Sequence, residues 1–265
     1  MTPQDRPTAS DGPIVLEARN LVKRFSGLVA VDGMSLALAR GEMVGLIGPN
    51  GAGKTTLFNL LAGALAPTSG EIRIGAVDVS REGPERRIAR GVGRTFQIPR
   101  PFAEMTVLEN VLTGGQSQAG ERAWMNFLRP GVVAAEERAA VERARSLLDF
   151  VLLSRLEREQ AKVLSGGQRK LLELARVLMA DPQAILLDEP AAGVNPTLLE
   201  LIIDRILALN AQGRTVLLIE HNMDMVARLC GRVVVMAAGK QLAHGTPEEV
   251  ARDPAVVSAY LGDVA

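Results

Sequence analysis

The sequence predicts an α/β fold whose core is a mainly parallel β-sheet covered by helices on both faces. Short continuous apolar runs have the length of buried strands, and they occur at 43–47, 184–187 and 215–219. Stretches with apolar residues at helical spacing accompany them, at 56–64, 169–180 and 198–209. Because such runs alternating with helices are typical of parallel sheets buried on both sides, the pattern favours the α/β class.

The regions around this core have patterns of their own. Residues 1–12 are polar and lack periodicity, which predicts a flexible tail, and the part that follows is sheet-rich. The middle third, about 98–170, is irregular and then strongly helical, so we expect a helical insertion. A predicted hairpin at 232–243 precedes a capped helix start at Thr246. We therefore expect one domain over 13–250, followed by a helical extension at 251–265.

Composition argues against several classes of protein. Lys plus Arg and Asp plus Glu both number 30, unlike the basic balance of a nucleic-acid binder, so we expect no nucleic-acid partner. No apolar stretch approaches the roughly 18–20 residues that cross a bilayer. Cys230 is the single cysteine and cannot form an internal disulfide, which predicts a buried thiol in a reducing compartment.

A glycine-rich loop between a predicted strand and a predicted helix is the first chemical signal. Residues 48–55 read Gly-Pro-Asn-Gly-Ala-Gly-Lys-Thr and match the phosphate-loop pattern G-x-x-x-x-G-K-[ST]. Backbone N–H groups of such a loop curl around phosphate, Lys54 adds positive charge, and the Thr55 hydroxyl suits Mg²⁺. We therefore expect ATP and Mg²⁺ as cofactors. The expected nucleotide-binding residues here are Gly48, Asn50, Gly51, Ala52, Gly53, Lys54, Thr55 and Thr56.

Two carboxylates end the apolar run at 184–187, where a parallel sheet presents its chemistry. We expect Asp188 to hold Mg²⁺ through its water shell and Glu189 to orient and deprotonate the attacking water. Without the phosphate loop, the same pair would more simply be the acidic start of a helix.

A second glycine-rich segment precedes an amphipathic helix. Leu164-Ser-Gly-Gly-Gln168 offers a second anion-binding helix start, formed by Ser165 and the amides of Gly166 and Gly167 but without a lysine, and taken alone it is a weak signal. Together with the phosphate loop, Gln97, Asp188-Glu189 and His221, it follows the order found in ATP-binding cassette (ABC) proteins. The chain resembles that family from about Ile14 onward.

The resemblance implies further structure, roles and partners. It implies a RecA-like P-loop NTPase core with an N-terminal antiparallel β subdomain and a helical subdomain. It assigns Gln97 to Mg²⁺ and the water, His221 to the γ-phosphate, and Phe25 to the adenine ring. Taken alone, Gln97 would be a surface residue, His221 a hydrogen-bonded histidine and Phe25 a core residue. Two cassettes are expected to pair head to tail, each ATP lying between one phosphate loop and the other chain's residues 165–168.

Longer segments are similar to one branch, the ATP-binding subunits of branched-chain amino acid importers. These segments are 94–97, 102–111, 189–196, 219–224 and 245–262. The expected partners are membrane permeases, a second cassette and an external binding protein, at the cytoplasmic face of the inner membrane. The second cassette is expected to be a related chain, with an identical copy as the alternative. Urea or amide import, lipid or lipopolysaccharide extraction, and a soluble cassette for DNA or ribosome work stay open as alternatives. Asn195 departs from the family, because many cassettes have aspartate there.

Overall fold

The structure, a computed structural model, describes residues 12–95, 100–116 and 130–261. The expected tail at 1–12 therefore lies outside the described residues except for its last position. The chain forms two units, one comprising 1–94, 182–191 and 206–265, the other 95–181 and 192–205. None of the helices among the described residues is long and apolar enough to cross a membrane.

Among the described residues of the first unit there are ten strands. They are β1 (Ile14–Phe25), β2 (Leu28–Ala39), β3 (Met43–Ile47), β4 (Ser69–Ile74), β5 (Val77–Asp78), β6 (Val92–Arg94), β7 (Ala184–Asp188), β8 (Thr215–Ile219), β9 (Arg232–Ala237) and β10 (Lys240–Gly245). Nine α-helices are described in the two units. They are α1 (Lys54–Leu61), α2 (Pro84–Ala89), α3 (Val107–Leu112), α4 (Pro130–Phe150), α5 (Gly166–Met179), α6 (Pro196–Ala211), α7 (Met223–Leu229), α8 (Pro247–Arg252) and α9 (Pro254–Leu261).

The larger sheet has the strand order β10-β9-β3-β8-β7-β6. All neighbouring pairs are parallel except β9 with β10. Every residue of β7 and β8 is buried, which explains why these strands read as continuous apolar runs. The prediction of a mainly parallel core sheet is confirmed.

The smaller sheet is antiparallel and has the order β2-β1-β4-β5. Its apolar side chains join those of α1 and the larger sheet in one cluster of buried residues. The N–H of Asp32 in β2 also donates to the carbonyl of Gly239, in the turn between β9 and β10, at 2.8 Å. The two sheets of this unit therefore share one core, as expected for a sheet-rich N-terminal part.

Arg87 of α2 fixes the end of α1 in the first unit. Its side chain is fully buried, and its guanidinium donates to the carbonyls of Leu60, Leu61 and Val79. Burial lowers the pKa of Arg87 to about 10, so the side chain stays charged at neutral pH. A cation at the C-terminal end of α1 satisfies carbonyls that have no partner within the helix.

The second unit is helical, with α3, α4, α5 and the first turns of α6. Helix α3 begins at a capping box, in which Thr106 accepts from the Glu109 N–H and the Glu109 carboxylate accepts from the Thr106 N–H. We expected an irregular segment there, so this short helix corrects the prediction. The strongly helical part of this region contains α4, which begins at Pro130 and ends at Phe150.

Candidate nucleotide-binding and hydrolysis site

Three parallel strands of the first unit end at the same edge of the larger sheet. Leu46 of β3 pairs with Ile219 of β8, and Ile219 also pairs with Asp188 of β7. The segments that follow these strands begin at Gly48, Glu189 and Glu220. Since the carboxyl ends of parallel strands are where α/β folds bind ligands, this edge brings the predicted groups together.

Two glycines of the phosphate loop lie against backbone that leaves no space for a side chain. Gly48 has φ 147°, and a Cβ there would lie 2.0 Å from the carbonyl oxygen of Met236. Gly53 has φ 98°, and its Cβ would lie 2.2 Å from the carbonyl oxygen of Ala30. At Gly51 a Cβ would meet no atom within 4 Å, so that side of the loop is open. The loop has the form of a cradle that suits a phosphate group.

Lys54 begins α1 and is buried beneath the loop. Its ammonium donates to the carbonyl oxygens of Gly48 at 2.6 Å and Pro49 at 2.9 Å. Burial lowers the pKa of Lys54, and the negative charge of Glu189 opposes that shift. Asn50 and Thr55 are exposed, and Thr56 is half-buried.

Asp188 is almost fully buried and is paired with Arg94 of β6. The Nη2 atom of Arg94 donates to Oδ2 of Asp188 at 2.9 Å, and Nη1 donates to Asn59 Oδ1 at 2.5 Å. The guanidinium also lies over the Phe58 ring, 5.8 Å from its centroid. A cationic partner offsets much of the cost of burying a carboxylate. Sequence reasoning gave Arg94 no role, because only the fold brings the ends of β6 and β7 together.

Glu189 and His221 are in direct contact. His221 Nε2 lies 3.2 Å from Glu189 Oε1, and both side chains are partly exposed. Glu189 has φ 48°, a left-handed conformation that costs a non-glycine residue energy, and its N–H donates to the carbonyl of Ile219 at 3.0 Å. The arrangement puts a carboxylate able to accept a proton beside a hydrogen-bonding imidazole.

Glu220 is a functional candidate that sequence reasoning missed. Its carboxylate accepts hydrogen bonds from the backbone N–H groups of Ala191, His221 and Asn222, although the residue is only 3% exposed. The sequence signal was an acidic residue directly after a buried apolar strand, the same pattern that marked Asp188.

The second glycine-rich segment lies in the second unit. Ser165 caps α5: its hydroxyl accepts from the Gln168 N–H at 3.3 Å, and Gln168 Oε1 accepts from the Ser165 N–H at 2.9 Å. A Cβ at Gly167 would lie 1.8 Å from Leu198 Cδ2, whereas one at Gly166 would meet nothing within 4 Å. Gly167 therefore allows close packing of α5 and α6, and Gly166 leaves the helix start open.

Two predicted residues need separate comment. Phe25 ends β1 with 42% of its surface exposed and the Lys23 ammonium 5.1 Å from its ring centroid, so the alternative of a core phenylalanine is wrong. Gln97 lies outside the described residues. Lys54, Asp188, Glu189 and His221 are brought to one edge of the first unit, and residues 165–168 belong to the second.

Comparisons with known proteins agree with this geometry. A family model described as "ABC transporter" matches residues 31–192. The chain belongs to the ABC transporter family. It is therefore an ATP-hydrolysing cassette with the P-loop NTPase fold. A second model, described as "Branched-chain amino acid ATP-binding cassette transporter", matches residues 240–265 of this ABC protein.

Curated relatives are similar along nearly their whole length. The probable branched-chain amino acid transport ATP-binding protein LivG of Archaeoglobus fulgidus is 38% identical over 248 residues, 94% of this chain and 95% of the relative. The high-affinity LivG protein of Salmonella typhimurium is 42% identical over 252 residues, 94% of this chain and 98% of the relative. The BraF protein of Pseudomonas aeruginosa is 41% identical over 251 residues, with the same coverage. These homologues are ATP-binding subunits of branched-chain amino acid transporters.

Solved structures share the fold. A nucleotide-free ATP-binding cassette from an ABC transporter is 38% identical with a TM-score of 0.81, covering 93% of this chain and 98% of that one. An ADP-bound cassette is also 38% identical with a TM-score of 0.81, covering 94% and 99%. A dimeric bacterial ABC transporter cassette is 24% identical with a TM-score of 0.72, covering 88% and 98%, and shares the fold alone. The prediction of an ABC ATPase is confirmed.

Proposed function

We propose that this ABC protein powers the import of branched-chain amino acids by hydrolysing ATP between two cassettes. The phosphate loop and its neighbouring carboxylates are features of the ABC family in general. They do not indicate which molecule is transported. The observation that carries the assignment is the match of residues 240–265 to the branched-chain family model. The relatives named above, at 38–42% identity over 94% of the chain, support it.

In the proposed site, residues of the first unit hold the nucleotide. The open side of the loop at Gly51 and the amides that begin α1 accept the phosphates, and Lys54 supplies positive charge. Thr55 and Asp188 fit a Mg²⁺ site, since a hydroxyl and a carboxylate are oxygen ligands and phosphates and water supply the others. Mg²⁺, when bound, offsets the charge that develops on the phosphate oxygens. Exposed Phe25 offers its ring to the adenine.

Glu189 is the proposed general base. Its carboxylate accepts the proton of the attacking water, and His221, whose Nε2 lies 3.2 Å from that carboxylate, contacts the same water and the terminal phosphate. Gln97 is proposed to contact the water and Mg²⁺. Few further groups are needed, because phosphoryl transfer is accelerated mainly by positioning and electrostatic stabilisation.

We further propose that two cassettes complete each site. Residues 165–168 of one chain then face the phosphates held by the other chain, and the open start of α5 at Gly166 leaves space for that approach. ATP favours the closed pair because it contacts both chains only when they are together, and hydrolysis removes this preference.

The transport partners follow from the same proposal. A helical subdomain at about 98–170 docks on membrane permeases at the cytoplasmic face of the inner membrane, and an extracytoplasmic binding protein delivers the amino acid. Phe102 and Met105 of this region are 51% and 40% exposed, although both are apolar. Exposed apolar side chains close together suit a protein interface.

Affinity capture from gently solubilised native membranes tests the assignment. We expect two permeases and a second cassette, and the captured complex in liposomes should import radiolabelled leucine only with ATP inside. Recovery with lipid-extraction partners, or import of urea instead of leucine, would contradict the cargo assignment. Recovery without any membrane protein would contradict transport itself.

Glu189→Gln tests the proposed base. The variant should bind ATP, remain dimeric on size-exclusion chromatography and lose turnover, because the amide cannot accept the proton. A variant that stays monomeric with ATP while the parent dimerises would overturn the role of Glu189.

A further inference from the structure

A buried carboxylate beside the proposed base has no part in the mechanism above. Glu220 follows β8 and is only 3% exposed. Within the part of the chain that the structure describes, its carboxylate accepts three hydrogen bonds, and all three donors are backbone N–H groups. Burying a carboxylate costs free energy unless hydrogen bonds or ion pairs offset the loss of water. The groups that donate to Glu220 therefore indicate what the side chain does.

The donors belong to two different segments. Oε1 accepts from the Ala191 N–H at 2.7 Å, two residues after Glu189. Oε2 accepts from the N–H groups of His221 at 3.0 Å and Asn222 at 3.2 Å. One side chain therefore joins the segment that carries Glu189 to the segment that carries His221.

The Glu189 segment needs such support because its backbone is strained. Glu189 has φ 48°, and a strained residue keeps this conformation only when its surroundings hold it. The N–H of Glu189 itself donates to the carbonyl of Ile219 at 3.0 Å. Two residues further along the chain, the N–H of Ala191 donates to the Glu220 carboxylate. Both restraints come from the end of β8, so the strained turn is fastened to the strand that leads to His221.

We propose that Glu220 is a positioning residue that sets the 3.2 Å contact between Glu189 and His221 by holding both backbone segments. This inference rests on the proposed roles of Glu189 and His221. A carboxylate is suited to the task because both of its oxygens accept and neither donates. An amide of the same shape would turn a donor toward one of the N–H groups, whichever way it is flipped.

Glu220→Gln is therefore the variant of choice, and Glu42→Gln is its matched control. Glu42 is another largely buried carboxylate of the first unit, accepting from the Ala39 N–H at 2.9 Å and pairing with Arg232 at 2.7 Å. It precedes β3, at the opposite edge of the same sheet. Glu189→Gln is included to report on the base itself. For each purified protein we would measure mant-ATP binding, kcat for phosphate release and the urea midpoint.

We expect Glu220→Gln to lower kcat by about tenfold to a hundredfold, since a displacement near 1 Å can have this effect. Its affinity for mant-ATP should stay within about twofold. Glu42→Gln should lower the urea midpoint but leave kcat within about twofold. If Glu220→Gln fails to fold, Glu220→Asp replaces it, with the same expected separation of kcat from affinity.

The outcomes distinguish this inference from the proposed function. Loss of turnover in Glu189→Gln with normal turnover in Glu220→Gln rejects the role of Glu220 alone. A parallel fall of kcat and affinity, or an equal fall of kcat in Glu42→Gln, also rejects it, because a merely structural role predicts that pattern. Normal turnover in Glu189→Gln rejects the proposed base and this inference with it.

Discussion

The two glycines at the start of α5 should respond in opposite ways to alanine. At Gly167 the new Cβ would lie 1.8 Å from Leu198 Cδ2 and 3.1 Å from its Cγ. Ordinary contact requires about 3.4 Å or more, so the leucine must leave its position and its new rotamer must be accommodated. Overpacking of this kind costs about 1–3 kcal/mol. With a urea m-value of about 2–3 kcal/mol/M, the midpoint should fall by roughly 0.3–1.5 M.

Gly166→Ala should instead leave the fold intact. A Cβ there meets no atom within 4 Å, and alanine is favoured over glycine in a helix by up to about 1 kcal/mol. The urea midpoint should therefore stay constant or rise slightly. The same methyl group would occupy the face through which the partner chain's nucleotide is proposed to approach. We expect ATP-dependent dimerisation to weaken at least tenfold, which corresponds to about 1.4 kcal/mol.

Sedimentation with and without ATP, in the Glu189→Gln background, measures this dimerisation. The Gly167→Ala variant is the control for altered packing of α5 against α6. It is refolded and assayed at urea concentrations well below its midpoint. Dimerisation of Gly166→Ala at the level of the parent would refute the reasoning, and Ser165 to Gln168 would then be only a helix start.

Three further predictions concern other parts of the chain. Arg87→Met should lower the free energy of unfolding by about 3–5 kcal/mol in urea titrations, since it removes the cation that satisfies buried carbonyls at the end of α1; a loss below about 1 kcal/mol would contradict that role. Phe102→Ala should abolish transport in liposomes while ATPase activity persists, and Leu152→Ala, an exposed leucine of the same unit, should leave both unchanged; undiminished transport in Phe102→Ala would remove Phe102 from the permease interface. Burial raises the pKa of the Cys230 thiol to about 12, so iodoacetamide should label it only after unfolding. Because the thiol ionises more easily when unfolded, its contribution to stability is present below the unfolded pKa and declines as the pH rises above about 8.5; fast labelling of the folded protein would disprove the burial.

The core of the fold could be predicted because its strands are buried on both faces. Strands β3 and β8 begin and end where the continuous apolar runs placed them. The strands β5 and β6 escaped prediction, since β5 has two residues and β6 has three, too few for a periodic pattern. Helix α3 was missed for a different reason. Its capping box, Thr106 with Glu109, was present in the sequence but lay among irregular residues.

The candidate site likewise contains residues that the sequence identifies and residues that only the fold reveals. Lys54, Asp188 and Glu189 could be found from sequence because each sits at a fixed offset from a strand end. Arg94 and Glu220 could not be assigned, because Asp188 lies 94 residues from Arg94 and Ala191 lies 29 residues from Glu220 in the chain. These two contacts depend on which strands are neighbours, and the order β3-β8-β7-β6 cannot be read from local patterns.

Asn195 illustrates how the structure narrows the meaning of an unusual residue. Its Oδ1 accepts from the Leu198 N–H at 2.9 Å, and Pro196 begins α6, so Asn195 caps this helix. Asparagine and aspartate are nearly equal as N-caps, and proline is favoured at the first helical position. The exchange of aspartate for asparagine therefore preserves the start of α6 and removes one negative charge. If this cassette communicates with its partner differently from cassettes that carry aspartate here, the difference arises from that charge and not from the shape of the segment.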